Sequence, residues 1–542
     1  MISARRMFSL LRSSPAPRLL FSKLAQPGPT FHGLINVCRY SQKHSKPKKT
    51  KASKSSKPRK PSKAQKLSKR KKGTMKVAVE GCCHGELDSI YSHIANLEKK
   101  NGYKVDLLLI CGDFQAIRNH QDLQCMAVPD KYKQLGGFYK YYTGERVAPI
   151  LTIVIGGNHE ASNYFWELYH GGWLAPNIYF LGHAGCVQVN GVRIAGASGI
   201  FKHHDFRKGH YERLPYDKST MRSIYHIREF SVRRLSLLSP PQIFLSHDWP
   251  QSITQYGDER GLLRRKKFLA PDVQSGKLGS PPLMGLLRTL QPEWWFAAHL
   301  HTRFEASVIH EPQHASPSDP PPVIASGGEN PDEIMVALDD DEVEETVAPV
   351  TNVEVTEKVE DSLHNPDEII LDDEEENVAA PPPPPPKLRD TKFLALDKCL
   401  PNREFLEVVD IPIPKDAVLP KTEGSKPKIT FDPEWLAITR AFHPLFSTSI
   451  HQPSFPNEAD ARAMVEKELE WVKSNVVAGH EGGPRTIGEC QKFACTAPGP
   501  GSEGAAKKQQ PPWYTNPQTV AFCEMLELEN KVNPPPFKGP ET

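Results

Sequence analysis

Polar side chains of the kinds that bind metal ions follow five short apolar runs of this chain. The clusters are Gly81-Cys82-Cys83-His84-Gly85, Cys111-Gly112-Asp113, Gly156-Gly157-Asn158-His159-Glu160, Ser246-His247-Asp248 and Ala298-His299-Leu300-His301. Because each preceding run is short and apolar with β-branched residues, each cluster is expected in a loop at the C-terminal end of a buried strand. A single His or Asp in such a loop would be an ordinary turn or core residue. Five clusters in a fixed order instead predict a hydrolytic site with two metal ions.

Composition predicts that folded and unfolded segments alternate along the chain. The 542 residues include 51 prolines, and their mean hydropathy is −0.49, which indicates much disorder. Residues 1–74 hold 21 of the 68 lysines and arginines and no acidic residue, so the remaining chain carries 47 basic against 64 acidic residues. The positive charge therefore belongs to an N-terminal arm and not to the folded body.

The basic arm, residues 1–74, is predicted to be disordered and to carry a targeting signal. Its first part is Arg-rich and free of acidic residues, which is typical of a mitochondrial presequence. Residues 43–72 are rich in Lys, Ser and Pro and resemble a nuclear localisation signal. We expect a nuclear protein, with mitochondrial import of a full-length form as the alternative.

Neither a membrane span nor a disulfide framework is predicted. No apolar run approaches the roughly 20 residues that cross a bilayer, so no membrane contact is expected. The ten cysteines are scattered without framework spacing, which favours a reducing intracellular compartment.

Residues 75–310 alternate apolar runs with helical segments, which is typical of a layered α/β domain. The predicted strands cover residues 76–79, 105–111, 150–155, 178–181, 192–197, 243–246 and 294–298. An amphipathic helix is predicted over residues 87–100, directly after the first polar cluster.

The rest of the chain is predicted to hold one more folded segment. Residues 311–387 are acidic and Pro-rich and are expected to be a disordered linker, in which Ile369-Ile370-Leu371 followed by acidic residues resembles a SUMO-interacting motif. Residues 388–475 regain aromatic and apolar residues and are expected to fold back as a small domain. Residues 476–542 are rich in Gly, Pro and Gln and are expected to be a disordered tail.

The order of the polar clusters resembles that of calcineurin-like metallophosphoesterases, with Cys82 at an Asp position and Ala298 at a Gly position. Gly-Cys-Cys-His-Gly at residues 81–85 is similar to the RNA lariat debranching enzymes of that superfamily. The resemblance covers residues 75–310 and resumes near residues 392–409, which begin Lys-Phe-Leu-Ala-Leu-Asp-Lys-Cys-Leu-Pro. It implies a four-layer αββα sandwich with a smaller C-terminal debranching-type domain. Because it begins at Met75, that residue is an alternative start of translation.

The resemblance implies a set of seven metal ligands. One ion is expected on Cys82, His84 and His301, and the other on Asn158, His247 and His299. Asp113 is the expected bridge, because a carboxylate can offer one oxygen to each ion.

Cys82 bears on the identity of the metals. A thiolate is a soft ligand that favours Zn²⁺ or Fe²⁺ over Mg²⁺. We therefore expect two divalent ions per chain, Fe²⁺ or Zn²⁺, with Mn²⁺ as the alternative. The other interpretation of Cys82 is that it faces away and that Cys83 or water takes its place.

Three further residues of the polar clusters are expected to act beside the metals. His159 is the candidate to protonate the leaving oxygen or to stabilise the charged transition state. Glu160 and Asp248 are expected to orient histidine ligands from behind, with a loop-capping role as the alternative for each.

Basic and aromatic side chains are interleaved over residues 198–228, an arrangement suited to phosphate contact and base stacking on unpaired RNA. The expected RNA contacts are Phe201, Lys202, His203, Arg207, Lys208, His210, Tyr211 and Tyr225. The segment matches the position of the lariat recognition loop of the debranching enzymes, and a solvated basic loop is the alternative.

A second basic run at residues 264–267 is a weaker candidate for contact with flanking RNA backbone.

The leading functional hypothesis is a phosphodiesterase that hydrolyses the 2′–5′ bond at the branch point of excised intron lariats. The alternatives are a general metallophosphatase acting on phosphoproteins or nucleotides, and a non-catalytic RNA-binding scaffold. The basic and aromatic segment and Cys82 argue against the first alternative, and the full set of ligands argues against the second. Branched RNA is thus the expected partner. Splicing-related or SUMO-type proteins that bind the acidic linker are a weaker expectation.

Overall fold

Short buried strands form two sheets in the computed structural model, which describes residues 73–311, 389–415, 417, 427–478 and 485–535. The strands are β1 (Thr74–Glu80), β2 (Leu107–Ile110), β3 (Leu151–Val154), β4 (Gly172–Ala175), β5 (Ile178–Phe180), β6 (Ala184–Val189), β7 (Val192–Ala197), β8 (Ile243–Ser246), β9 (Trp294–Ala297), β10 (Phe304–His310), β11 (Arg389–Ala395), β12 (Leu406–Pro412) and β13 (Ile429–Phe431). All seven predicted strands are confirmed, with ends that shift by two residues or fewer.

The helices lie outside the sheets. They are α1 (Leu87–Asn101), α2 (Tyr139–Tyr142), α3 (Ser162–Glu167), α4 (His203–Phe206), α5 (Thr220–Ser223), α6 (Glu229–Leu235), α7 (Glu259–Arg265), α8 (Ala270–Gln274), α9 (Pro281–Leu290), α10 (Pro433–Phe442), α11 (Glu458–Val472), α12 (Ile487–Cys490) and α13 (Pro517–Met525). The predicted amphipathic helix is confirmed as α1, and it ends at Gly102, whose left-handed backbone caps the last turn.

The strand order places parallel strands at the centre of each sheet. The first sheet has the order β12-β1-β2-β3-β5-β4, and β1, β2, β3 and β5 are parallel. The second sheet has the order β10-β11-β9-β8-β7-β6-β13, and β11, β9, β8 and β7 are parallel. Because parallel strands are covered on both faces, they appear in the sequence as continuous apolar runs, such as Leu107–Ile110.

The two sheets pack face to face, and helices cover their outer sides. Val77 and Val79 of β1 join the core between the sheets, whereas Ala78 packs on the other face together with Ile90 of α1. On the far side, helices α6 and α10 pack on β6. The arrangement is the predicted αββα sandwich.

The segment that follows the linker completes both sheets. Strand β11 lies between β9 and β10 in the second sheet, and β12 forms the edge of the first sheet beside β1. The predicted C-terminal region over residues 388–475 thus folds back onto the body of the protein, and its first two strands join the two sheets. Strand pairing between residues so far apart is a non-local property that the local pattern does not carry.

The prediction of a disordered tail over residues 476–542 was wrong for residues 485–535. Helices α12 and α13 lie in this segment, and Phe522, Leu526 and Val532 are buried. The side chain of Gln518 accepts the Trp173 amide at 2.7 Å and donates to its carbonyl at 2.9 Å. A segment without apolar periodicity is thus ordered by contacts with the body of the protein.

Other predicted segments lie outside the described residues. These are nearly all of the basic arm and of the linker, including the SUMO-type motif. Within the described ranges, no helix is both long enough and apolar enough to cross a membrane.

Candidate metal centre

The seven predicted ligands lie just after the carboxyl ends of parallel strands in both sheets. In chain order they are Cys82 and His84 after β1, Asp113 after β2, Asn158 after β3, His247 after β8, and His299 and His301 after β9. Because the two sheets pack face to face with these ends at the same edge, loops from both sheets meet there.

The first ligand cluster consists of Cys82, His84, Asp113 and His301, whose donor atoms all lie within 4.8 Å of one another. The Nε2 atom of His84 is 3.2 Å from Nε2 of His301 and 3.5 Å from Oδ2 of Asp113. Two imidazole nitrogens at this separation point at a common centre. The alternative in which Cys82 faces away does not match this geometry.

The second ligand cluster forms around His247. Its Nε2 atom is 3.4 Å from Oδ1 of Asp113 and 3.2 Å from Oδ1 of Asn158. The ring of His299 lies beside it, with 5.0 Å between the ring centroids. Asp113 therefore presents one carboxylate oxygen to each cluster.

Four of these residues have a backbone conformation that non-glycine residues rarely adopt. The φ angles are 44° for His84, 47° for Asp113, 66° for His299 and 47° for His301. Strained residues of this kind persist only where the surrounding structure holds them, and they concentrate at functional sites. The strain turns side chains from successive loops toward one point.

Two glycines allow the loops to approach so closely. A Cβ atom on Gly112 would lie 2.4 Å from Nδ1 of His247, and one on Gly157 would lie 2.2 Å from Oδ1 of Asp113. Both distances are far below van der Waals contact. The site therefore depends on residues that carry no ligand atom.

We expect Gly157→Ala to weaken metal binding by about ten- to a hundredfold, the usual range for residues that position ligands. The added methyl group must displace Asp113 or His247. Zn²⁺ titration of metal-stripped protein measures the effect. Gly285→Ala is the matched control, because a Cβ there meets no atom within 4 Å and α9 should tolerate alanine. Unchanged affinity in Gly157→Ala would contradict the expectation.

Burial keeps three ligand imidazoles neutral. It lowers the pKa of His84 to about 4, that of His299 to about 3 and that of His301 to about 2. Neighbouring histidines add to the effect by mutual repulsion. A neutral imidazole keeps a nitrogen lone pair, which is the form that binds a metal.

The carboxyl and thiol groups of the centre respond in opposite ways to their surroundings. Burial would raise the pKa of Asp113, but the attraction of His247 and His159 outweighs it, and the pKa lies well below its ordinary value. Burial raises the pKa of the Cys82 thiol, and the negative charges of Asp113 and Glu80 raise it further. Its Sγ atom nevertheless accepts the His299 amide at 3.2 Å, a bond that favours the thiolate.

His247 is oriented by a backbone carbonyl. Its Nδ1 atom lies 2.8 Å from the carbonyl oxygen of Cys111, which directs the Nδ1 proton there and leaves Nε2 to face Asp113 and Asn158. Burial lowers the pKa of His247, but Asp113 outweighs this and the pKa is raised. A carbonyl behind a histidine ligand is the arrangement that selects one tautomer for metal binding.

The donor set fits two divalent cations. It offers one sulfur, several neutral imidazole nitrogens, an ionised carboxylate shared by both clusters and one amide oxygen. A cation would reverse the effect of burial on the Cys82 thiol, since metal binding stabilises the thiolate.

His159 lies at the edge of the first cluster. Its backbone amide donates to Oδ1 of Asp113 at 2.9 Å, and its half-buried ring is 5.6 Å from the ring of His84. The imidazole is thus adjacent to the centre without belonging to the compact donor group. Its role as a proton donor stays a prediction.

Glu160 and Asp248 hold backbone rather than histidine rings. Glu160 accepts the amides of Phe114, Gln115 and Gly157 at 2.7 to 2.9 Å, which ties together the loops after β2 and β3. Burial, followed by repulsion from Asp113, raises its pKa to about 7. The loop-capping alternative therefore describes Glu160.

Asp248 links the centre to the predicted RNA segment. Its carboxylate accepts the amide of Phe201 at 3.1 Å and that of Trp249 at 2.9 Å. It does not bond a histidine ring within the described residues, so the loop-capping alternative describes Asp248 as well. The bond to Phe201 fixes the start of the segment beside His247.

The predicted RNA contacts divide into outer and inner groups. Exposed or half-exposed at the surface are Phe201, Lys202, His203, Arg207, Lys208 and Tyr211. Asp205 holds this group in place, because its carboxylate contacts Lys208 at 2.8 Å and His226 at 2.7 Å. Its exposed cations can meet phosphate, and its rings can meet bases.

The prediction that His210 and Tyr225 contact RNA was wrong. His210 is only 2% exposed and packs among Trp166, Tyr169 and Phe446, while Tyr225 is 7% exposed. A ring enclosed in this way cannot stack on a base. Composition placed both residues in a basic segment, whereas tertiary packing buries them, in the case of His210 against Phe446 of the C-terminal region.

His210 belongs to a buried group with His170 and His443. All three are under 9% exposed, and buried Arg234 and Arg228 carry positive charge nearby. Burial lowers the pKa of each one, with repulsion from cations adding to it, and that of His443 falls to about 4. All three are neutral in the folded protein.

We expect these histidines to make the protein lose stability in acid. Below their ordinary pKa of 6.5, the unfolded chain binds protons that the folded chain cannot, so the free energy of unfolding falls with pH. Each group contributes a slope of up to about 1.4 kcal/mol per pH unit. His210→Gln should reduce that slope by one proton in urea unfolding between pH 6.5 and 5, whereas exposed His93→Gln should not. Equal slopes in both variants would contradict the assignment.

Sequence reasoning missed Lys398 as a neighbour of the centre. It lies in the Asp-Lys-Cys-Leu-Pro stretch after β11, where Cys82 and Lys398 form a β-bridge. The Cys399 amide donates to the Cys82 carbonyl at 3.1 Å, so this stretch runs beside the first cluster. The only signal was that the stretch belongs to the second region of resemblance.

Comparison with known proteins agrees with the fold and the site. The family model for calcineurin-like phosphoesterases matches residues 75–303, and that for the C-terminal domain of lariat debranching enzyme matches residues 388–531. The second match extends well beyond residue 475, in agreement with the ordered tail. The fold and the shared carboxylate thus define a metallophosphoesterase.

Similar proteins identify the family within the metallophosphoesterases. The chain is 45% identical over 471 residues to "Lariat debranching enzyme" of Drosophila melanogaster, covering 84% of this chain and 78% of that protein. It is 42% identical over 499 residues to the protein of that name in Schizosaccharomyces pombe, covering 86% and 99%. For "Lariat debranching enzyme A" of Xenopus laevis, the identity is 43% over 459 residues, covering 84% and 70%. This chain belongs to the lariat debranching enzyme family.

Proposed function

We propose that this chain hydrolyses the 2′–5′ phosphodiester bond at the branch point of excised intron lariat RNA and so linearises it for turnover. The observation that carries the proposal is the Asp113 carboxylate, whose two oxygens face separate clusters of metal-binding side chains. Such a pair of sites suits in-line displacement at phosphorus. Relatives named for lariat debranching support branched RNA as the substrate.

Two divalent ions would be held by the clusters already described. Cys82, His84 and His301 would bind one ion and Asn158, His247 and His299 the other, with Asp113 shared. When bound, the ions supply Lewis acidity at the phosphate and lower the pKa of water. Fe²⁺ or Zn²⁺ is favoured by the sulfur ligand, with Mn²⁺ as the alternative.

Side chains of the centre other than the metal-bridging carboxylate have separate roles in the reaction. Water adds to phosphorus and loses a proton to solvent as the bond from phosphorus to the ribose oxygen breaks, and the departing oxygen takes up a proton. His159 is placed to supply it, since its backbone is anchored on Asp113 and its ring stands beside His84. Asn158 contributes an oxygen without charge, which limits negative charge near the incoming phosphate.

Selection of RNA is assigned to the outer group around α4. Phe201 is tied to Asp248 next to His247, so this group begins at the metal centre. Exposed Arg207 and half-buried Lys202 form a cationic approach for a nucleic-acid backbone, and the exposed His203 ring follows Lys202 in the chain. A phosphatase acting on phosphoproteins or mononucleotides requires no such approach, and the relatives do not favour that alternative.

A direct test compares branched and linear substrates. Full-length protein loaded with Zn²⁺ or Fe²⁺ is expected to cleave the 2′–5′ bond of a branched RNA and to leave a linear 3′–5′ RNA of the same sequence intact. Release of p-nitrophenol from p-nitrophenyl phosphate measures general phosphatase activity. Faster turnover of that compound than of branched RNA, or equal cleavage of both RNAs, would overturn the proposal.

We expect Cys82→Asp to shift the metal preference of the reaction toward Mn²⁺. An Asp ligand is hard, whereas the Cys82 thiolate favours softer ions. Turnover of branched RNA by metal-stripped protein, resupplied with Zn²⁺, Fe²⁺, Mn²⁺ or Mg²⁺, measures the preference. Cys523→Asp is unsuitable as a control because that residue is buried, so Cys495→Ser at an exposed position serves instead. Full recovery of the unaltered protein with Mg²⁺ alone would contradict the soft-ligand argument.

A further inference from the structure

A second group of basic and aromatic side chains lies near the first ligand cluster. It comprises Arg264, Lys266, Lys267, Phe268 and Lys398, which we call the Lys398 flank. Arg264, Lys267 and Phe268 are exposed, and Phe268 keeps 52% of its surface in contact with solvent. Basic side chains beside an exposed aromatic ring suit phosphate contact and base stacking on single-stranded RNA.

The turn that carries Phe268 is firmly anchored. Leu262 of α7 and Leu269 are fully buried on either side of it, and Arg265 donates to the carbonyl of Arg303 at 3.0 Å. Lys266 lies over the Phe268 ring, with its ammonium 5.9 Å from the ring centroid. The phenyl ring is therefore presented outward by a fixed backbone and is available for stacking.

The flank is continuous with the metal centre. Lys398 forms a β-bridge with Cys82, and the Cys399 amide donates to the Cys82 carbonyl at 3.1 Å. Asp397 precedes Lys398, and its carboxylate accepts the Lys398 amide at 2.8 Å. Arg265, next to Lys266, donates to the carbonyl of Arg303 at 3.0 Å, and Arg303 follows the ligand His301 by two residues.

Acidic neighbours surround Arg303, so it is not counted as part of the flank. Arg303 bonds Glu407 at 2.7 Å, contacts Glu305 and lies 3.8 Å from Glu404. Arg264 is 3.9 Å from Asp258, and both side chains are mostly exposed, so their attraction is weak.

The opposite side of the centre has its own cationic flank. Phe201, which precedes Lys202, is bonded to Asp248 beside the ligand His247. Lys398 forms a β-bridge with the ligand Cys82 of the first cluster. A phosphate at Asp113 would thus have one aromatic and basic surface on each side.

We propose that the Lys398 flank is a second RNA-binding subsite, which holds one single-stranded arm of the branched substrate by stacking a base on Phe268 and contacting its phosphates. The inference rests on the proposed function, because a branch point joins three strands and a single surface cannot follow all of them. Stacking on an aromatic side chain is tolerant of sequence, which suits arms that differ between introns. The flank would therefore recognise branching and not a particular sequence.

Arm length provides the test. Three series of branched RNAs are made, each with one arm of one or five nucleotides and the other two arms short. The unaltered protein is expected to show a lower KM when one particular arm is extended. Phe268→Ala should raise KM for that long-arm substrate by about tenfold, the size of one lost stacking contact, and leave the short-arm substrate unchanged.

Matched variants separate binding from folding. Phe268→Trp should restore the long-arm KM, and Ile309→Ala, which is 64% exposed at the far end of β10, should have no effect. Lys267→Ala should make the slope of the logarithm of the binding constant against the logarithm of the salt concentration shallower, by the amount expected for the loss of about one phosphate contact. An unchanged long-arm KM in Phe268→Ala, or an equal loss for short and long arms, would overturn the subsite.

A binding measurement distinguishes failure of the subsite from failure of the proposed function. Fluorescence anisotropy follows a linear five-nucleotide oligouridine on the unaltered protein and on Phe268→Ala. If branched RNA is not cleaved but Phe268→Ala weakens this binding, the proposed function fails and the flank stands as an RNA surface. If branched RNA is cleaved and neither KM nor binding changes, the subsite alone is refuted.

Discussion

Asp113→Asn is expected to reduce turnover of branched RNA by about a thousandfold or more and to release metal from both clusters. The carboxylate faces both sets of ligands, with one oxygen 3.5 Å from His84 and the other 3.4 Å from His247. An amide has no charge, and its NH₂ group would point at one of the two imidazoles. Rates on branched RNA and metal analysis of the same sample give both readouts.

The substitution isolates charge because asparagine has nearly the same shape. Its amide oxygen can still accept the His159 amide, so the loop after β3 keeps its support. Asp130→Asn, at a side chain that is 93% exposed, controls for the general effect of losing a carboxylate. Full metal content and turnover in Asp113→Asn would remove the shared carboxylate from the proposal.

His159→Ala is expected to lower turnover by about two to four orders of magnitude while both metals stay bound. Its ring stands next to His84 but outside the compact group of donor atoms, and only its backbone contacts Asp113. Loss of the side chain therefore removes a proton donor without removing a ligand. The kcat of branched RNA cleavage and the metal content of the variant are measured together.

Exposed His93→Ala is the matched control and should keep both the kcat and the metal content of the unaltered protein. Loss of one metal ion from His159→Ala would instead make this residue a ligand.

The two regions that match separate family models form one structural unit around the metal centre. Strand β11 fills the gap between β9 and β10, and β12 pairs with β1, from whose end Cys82 emerges. The Cys82 amide also donates to the carbonyl of Asp397 at 3.3 Å. The position of the sulfur ligand thus depends on residues more than 300 positions later in the chain.

Much of the fold and the donor set was determined by the sequence alone. A strand buried on both faces must be apolar throughout, so runs such as Leu107–Ile110 are visible without any partner. Each ligand follows its strand within a few residues. That local spacing made Cys82, Asp113 and His247 candidate ligands of one metal centre. The helix α1 was visible for the same reason, since its apolar spacing is local.

Only the tertiary structure decided which distant segments meet. Whether His210 faces RNA or the core depends on Phe446, and whether the tail folds depends on its contacts with Trp173. The placement of Lys398 beside Cys82 and the division of the Asp113 oxygens between two clusters follow from strand order and strained loops. These features arise from packing between residues far apart in the chain, where burial and charge are set by neighbours that no local pattern contains.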